Sequence, residues 1–231
     1  LALFPTAALA AVIVYAALRL IEIGDWRRLA RFRTVEFGLA AVTALTVLFV
    51  GVLPGIGIAV GLSIVDLLRR LAAPHDGILG YVPGLAGMHD VDDYPTARQV
   101  EGIVVYRYDS PLFFANAEDF QRRALAAVDE AEQPVRWFLL NAEANVQVDL
   151  TAVDSLDALR RTLNGRGIVF AMARVKQDLR DQLEAAGFLE SVGEDHVYAT
   201  LPTAMDAYVS WFHTETGRDL TLPTTPAPPA A

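Results

Sequence analysis

The chain has 231 residues, is 53% hydrophobic and has a mean hydropathy of +0.32, high for a soluble protein. Charge is unevenly spread: residues 1–74 hold seven Lys+Arg against four Asp+Glu, a net of +3, while residues 75–231 carry a net of −12, and the whole chain is at −9. That division points to a membrane piece joined to an acidic soluble domain; it argues against a nucleic-acid partner, which would need a basic face, and the lack of Cys excludes a disulfide framework and a thiol nucleophile.

The opening Leu1 is not preceded by a basic stretch and no small-residue cleavage site follows. The start is therefore not read as a signal peptide but as a fragment beginning just before or inside an apolar segment. Phe4 to Ile21 is apolar except for Thr6 and Arg19, and Pro5 suits a first helical turn. Roughly 18 residues are about enough to span a hydrocarbon core of ~30 Å, with Arg19 and Glu22 reaching the interface. A buried core helix is the other reading of such a run. GDWRRLARFR (24–33) is read as an arginine-rich loop with Trp26 at the interface.

From Phe37 to Val65 no charge occurs. One helix of that length would be about 43 Å long, too long for a simple span, and Pro54-Gly55 lies near its middle. The stretch is read as a hairpin of two helices, so the expected spans are about 4–22, 36–51 and 55–71. Gly57 and Gly61 form a G-x-x-x-G that permits close helix packing in lipid. Arginines crowd 24–33 and the exit at Arg69 and Arg70, and none lies near Pro54. The positive-inside rule then places 24–34 and everything after 71 in the cytoplasm. No ionisable residue lies mid-span, so an ion route is not expected within this piece.

Residues 74–100 are rich in Gly, Pro and Asp and are read as a linker, in which His75, His89 and the pair Asp92-Asp93 are solvated. Strands and helices then alternate. Strands are expected at 102–109, 112–116, 135–142, 167–174 and 196–200. Helices are expected at 117–132 (capped by Asn116), 151–164, 175–187 (closed by Gly187) and 202–213. Alternation of this kind implies a small α/β domain over about 101–216, and 217–231 reads as a disordered tail.

No G-x-S-x-G, H-E-x-x-H or P-loop sequence occurs, and the only lysine, Lys176, has no glycine loop. His196 and His213 read as packing residues. No catalytic residue, metal site or cofactor is assigned, and the chain is not read as an enzyme. The most informative stretch is VDLTAVDSL (148–156), where a strand gives way to a helix. Asp149, Thr151 and Asp154 gather there at a helix N-terminus. The spacing Thr151-x-x-Asp154 is that of a capping box; the free N–H groups of such an end would also favour a phosphate, which Asp149 and Asp154 would oppose.

The order of these features carries a resemblance. VRWFLLNA, then acid-x-hydroxyl, then a helix with Leu-x-x-Leu, then RGI entering a strand resembles the STAS domain. That domain is shared by anti-sigma-factor antagonists and the cytoplasmic end of sulfate permease (SulP) family anion transporters. YRYDSPLFFANAEDF is similar to the SulP-type opening of that domain. PTAALAAVIVYAALRLIE and GIGIAVGLSIVDLLRR look like the last membrane helices of the family, so the resemblance runs over about 4–215. In antagonist members the motif is Asp-Ser-Ser-Gly, and a kinase phosphorylates the second hydroxyl. Here Asp149-Leu150-Thr151-Ala152 keeps the acid and that hydroxyl and departs at Leu150 and Ala152, while Asn141 stands where relatives often have an acid.

The resemblance implies an α-helical membrane segment of three transmembrane helices followed by a STAS domain. Residues 1–73 would belong to the scaffold, or gate, of a multi-pass cytoplasmic-membrane protein. The domain at 101–216 would be cytoplasmic and would regulate, form homodimer contacts, or bind a nucleotide or a regulatory protein. Transport would be secondary-active. The anion, with sulfate as the default and bicarbonate or a dicarboxylate as other choices, would bind in a core domain outside this sequence. The alternative is a membrane-anchored STAS signalling module in which Thr151, with Asp149 and Asp154, is a phosphorylation switch.

Overall fold

The computed structural model describes residues 6–19, 22–220 and 222. The chain divides into two compact units, Leu1–Leu68 and Arg69–Ala231.

The first unit is helical. Helices α1 (Thr6–Arg19), α2 (Ile23–Phe32) and α3 (Thr34–Phe49) are followed by α4 (Val52–Ala72), whose last residues belong to the second unit. Of the first expected span, 4, 5, 20 and 21 lie outside the described residues. The arginine-rich 24–33 stretch is not a loop. It forms α2, because Trp26, Leu29 and Ala30 recur at helical spacing on one side and the arginines fill the other. Arg33, with φ −150 and ψ 112, breaks the helix and turns the chain into α3.

The α3–α4 hairpin turns at Val50 and Gly51, earlier than the proline suggested. Pro54 sits in the first turn of α4, where a missing N–H costs nothing. α4 has 21 residues and is long and apolar enough to cross a membrane by length and composition, whereas α3 has 16. Among the described residues, no atom beyond their own helix turn lies within 4 Å of a Cβ added at Gly57 or Gly61. The close approach is at Gly55 instead: a Cβ there would run into the Val47 side chain and lie 3.1 Å from the Val47 backbone.

The second unit is a mixed six-stranded sheet of order β2-β1-β3-β4-β5-β6. Its strands are β1 (Asp76–Tyr81), β2 (Met88–Asp90), β3 (Ile103–Tyr108), β4 (Trp137–Asn141), β5 (Val169–Ala173) and β6 (Val197–Tyr198). β3 to β6 run parallel, β1 is antiparallel to β3, and β2 is antiparallel to β1. The 74–100 segment is therefore not a linker, since it supplies the first two strands.

Successive residues of β3 point to opposite faces, as the pleat requires. Val104, Tyr106 and Tyr108 enter one core with α5 (Ala117–Asp129), α6 (Leu150–Gly165), α7 (Gln177–Ala185) and α8 (Phe188–Val192). Ile103 and Val105 enter a second core under α9 (Leu201–Thr216), with Trp137, Tyr208 and Phe212. β4 is buried at every position, which accounts for its unbroken apolar run.

Other expectations need correction. LFFAN is not a strand: Leu112 makes a single parallel bridge to Val148, and the rest is turn. Beyond Gly187 the chain makes α8 and a 3-10 turn, Glu194–His196, before the two-residue β6. The start of the expected tail is folded back, with Leu220 and Leu222 packed on the second core and Arg218 bonded to both carboxylate oxygens of Glu101. The remainder of the tail lies outside the described residues.

Candidate functional site

Two loops meet where α6 begins. The β3–α5 loop and the β4–α6 loop are joined by Leu112 N donating to Gln147 O at 3.1 Å and Asp149 N donating to Leu112 O at 3.3 Å. The helix starts at Leu150, one residue before the expected position, so Asp149 is its N-cap. The Asp149 carboxylate does two jobs: Oδ1 accepts from Ala152 N and Oδ2 accepts from Phe114 N, both at 2.8 Å. Val148 N donates to Gln182 Oε1 of α7 at 2.9 Å, which ties a third element to the same point.

Thr151 is therefore not the cap, and the Thr151-x-x-Asp154 box does not form. Thr151 is the second residue of the helix, exposed, and its hydroxyl makes no hydrogen bond among the described residues. Asp154 is exposed one turn farther on. The structure thus separates the three marked residues into one structural acid and two solvent-facing groups. Phe114 and Leu150, on the two sides of the Asp149 clamp, are 69% and 71% exposed. An open groove beside them is lined by Leu71, Pro111, Phe113, Val148, Asp149 and Gln182. The site thus offers a free hydroxyl at a helix N-terminus, where the helix dipole favours negative charge, next to an exposed apolar pair.

Buried amides hold the loops rigid. Asn116 is fully buried and, although placed at the N-cap of α5, does not cap it. Its Oδ1 accepts from Phe113 N at 2.9 Å, and its Nδ2 donates to Pro111 O at 2.9 Å and Leu71 O at 3.0 Å. Asn145 Nδ2 donates to Tyr108 O and Ser110 O at 3.1 and 2.7 Å. Asn141 is buried at the end of β4, and its Oδ1 accepts from Glu143 N.

A second polar group, missed by sequence reasoning, anchors β1. Tyr106 Oη donates to Asp76 Oδ2 at 2.6 Å, Arg123 spans Asp76 and Asp119 at 2.6 and 2.9 Å, and Tyr108 Oη donates to Asp119 at 3.2 Å. Burial, and then the neighbouring carboxylates, push both phenols far above the usual tyrosine range. The available signal was Tyr-x-Tyr at 106 and 108, whose shared face needs polar partners for two hydroxyls.

The histidines divide. His75 Nε2 lies 3.2 Å from the buried Asp90 carboxylate, and His89 Nε2 lies 3.0 Å from Ala86 O, so neither is merely solvated. His196 packs edge-on to Trp137, as expected of a packing residue, but His213 is exposed and paired with Asp219. The described residues hold no group of three or more His, Cys, Asp or Glu that could bind a metal ion.

Residues 94–204, which include the Asp149 clamp and Thr151, match the family model of the STAS domain. Over 208 residues the chain is 64% identical to the probable sulfate transporter Rv1739c of Mycobacterium tuberculosis, covering 90% of this chain and 37% of that protein. The chain fits the C-terminal part of a SulP family protein. The chain is also similar to a plant protein: the low affinity sulfate transporter 3 of Stylosanthes hamata is 30% identical over 89% of this chain and 34% of its own length. The chain therefore spans about a third of the length of the curated relatives it matches. In fold it is similar to the murine Solute Carrier 26 family member A9 anion transporter in the inward-facing state, with TM-score 0.76 and 22% identity, over 87% of this chain and 32% of that one.

Proposed function

We propose that this chain is the C-terminal portion of a secondary-active inorganic anion transporter of the sulfate type, seated in the cytoplasmic membrane. The observation that carries the reading is the 64% identity to a probable sulfate transporter over nine-tenths of this chain. The apolar character of α1, α3 and α4 supports a membrane setting for the first unit, and the arginines of 24–33 and at 69 and 70 support a cytoplasmic side for the STAS domain. The anion site belongs to a part of the protein outside this sequence. The STAS domain is assigned a regulatory role or a role in dimer and partner contacts. Uptake of labelled sulfate by cells expressing the full-length protein tests the reading. Concentrative uptake that competing sulfate abolishes is the expected result, and no uptake of sulfate or any other inorganic anion would reject it.

A second reading is favoured by Thr151 at the start of α6, which is exposed and has no hydrogen-bond partner among the described residues. In it the STAS domain is an anchored signalling switch, phosphorylated at Thr151 or holding a nucleotide there. A phosphate on Thr151 would gain from the helix end and meet Asp149 and Asp154 as like charges. Loss of a regulatory partner in Thr151→Asp with retention in Thr151→Ala would support it. Equal partner binding by both would count against it.

A further inference from the structure

Three arginines of α2 have no acidic partner among the described residues. Arg27, Arg28 and Arg31 are exposed and make no ion pair among the described residues, whereas Arg33 pairs with Glu36 at 3.0 Å. At 3.6 residues per turn the three fall within an arc of about 100°, and Trp26, Leu29 and Ala30 lie across the helix from them. Trp26 contacts Phe37 of α3 edge-on, with ring centroids 5.7 Å apart, which fixes the roll of α2 against its neighbour.

Position in the chain adds a constraint. The non-helical Glu22 precedes α2, and the single residue Arg33 separates it from α3, so α2 lies between the ends of two flanking helices. Both flanking helices expose long apolar side chains, including Val12, Ile13 and Leu18 on one and Val42, Leu45 and Leu48 on the other. With those surfaces in a bilayer, α2 lies at the level of the headgroups. A groove on it is lined by Asp25, Arg28, Leu29 and Phe32, which sets a guanidinium, with the Asp25 carboxylate in the same lining, beside apolar walls. That combination suits a lipid, with charge-assisted bonds to the headgroup phosphate and apolar contact with the first acyl carbons.

We propose that α2 is an interfacial helix that binds anionic phospholipid headgroups through Arg27, Arg28 and Arg31, with Trp26, Leu29 and Phe32 at the acyl boundary. The inference rests on the membrane reading above, and the test separates the two. The full chain is reconstituted into phosphatidylcholine vesicles containing a minority of phosphatidylglycerol. Flotation is scored, and the lipids that stay bound after mild detergent release are counted by native mass spectrometry. The expected result is retained phosphatidylglycerol enriched over its share of the bilayer. That enrichment should be lost, falling back to the bilayer share, in R27Q/R28Q/R31Q, survive in R27K/R28K/R31K, and be unchanged in R122Q of the STAS domain. Equal enrichment in wild type and the glutamine variant would overturn it, as would a loss in the lysine variant. A chain that floats without preferring the anionic lipid defeats this proposal alone; a chain that does not float defeats the membrane reading with it.

Discussion

Asp149 and Thr151 are two positions apart and have opposite physical characters. Asp149 satisfies the N–H groups of Ala152 and Phe114 with its two carboxylate oxygens, so it fastens a helix start and a neighbouring loop at once. Asp149→Ala should therefore cost about 1–2 kcal/mol of stability, the upper part of the range for a lost cap. Thr151→Ala, at a solvent-facing position with no bond to lose, should fall within about 0.5 kcal/mol of wild type. Urea melts of the two variants, followed by Trp fluorescence, check the contrast; equal losses would mean that Thr151 carries the cap after all. The motif was legible as a strand-to-helix junction, but the capping residue was not. Moving the helix start by one residue transfers the N-cap role to Asp149 and turns Thr151 outward. Asn116 shows the same limit. A short polar residue before a helix signals a cap, yet here the buried amide serves the carbonyls of Pro111 and Leu71 and the N–H of Phe113 instead.

At the scale of elements, the helices and the central strands could be read from periodicity because their cores are continuous. The edge strands could not. Asp-Gly-Ile-Leu-Gly-Tyr reads as part of a linker, since glycine is depleted in strands. The structure gives each glycine a reason: a Cβ at Gly77 would collide with the Asp90 carboxylate, and one at Gly80 would lie 2.9 Å from the Arg98 carbonyl oxygen. β1 is held by Leu79 in the second core, by Ile78 against the first, and by Asp76, which takes bonds from Tyr106 and Arg123. Arg123→Ala should accordingly loosen β1 first. Amide exchange at Ile78 and Gly80 should speed up well before exchange in β4, with a stability loss of about 1–2 kcal/mol. In the first unit, Gly55→Leu should disrupt the α3–α4 hairpin by about 1–3 kcal/mol through overpacking against Val47. Gly57→Ala and Gly61→Ala should leave it intact within this chain. Thermal melts in detergent compare the three, and a neutral Gly55→Leu would refute the contact.

Over the whole STAS domain, three buried phenols set the alkaline limit. Tyr106, Tyr108 and Tyr208 are each held above the usual tyrosine range, first by burial. A raised folded-state value means that the folded form keeps the proton more tightly than the unfolded chain, whose tyrosines titrate near 10. Their contribution is complete below that pH and is lost as pH rises above it toward the folded values. Stability should be insensitive to these groups at neutral pH and decline steadily from about pH 10. Tyr106→Phe removes one such group and should flatten the decline. Parallel urea melts across the alkaline range measure it, and an unchanged slope in the variant would reject the assignment.

One of those phenols has a consequence for how the protein is made. Tyr208 Oη donates to Glu101 O at 2.6 Å, across 107 residues, and its ring stands against Trp137 beneath α9. Until the ribosome has released α9, the sheet has a cover on one face only, and the apolar side formed by Ile103, Val105, Leu139 and Ala171 faces water. A nascent chain stalled before Leu201 is thus a half-clad sheet, a natural client for chaperones and proteases. Release of α9 is the step that covers the second face.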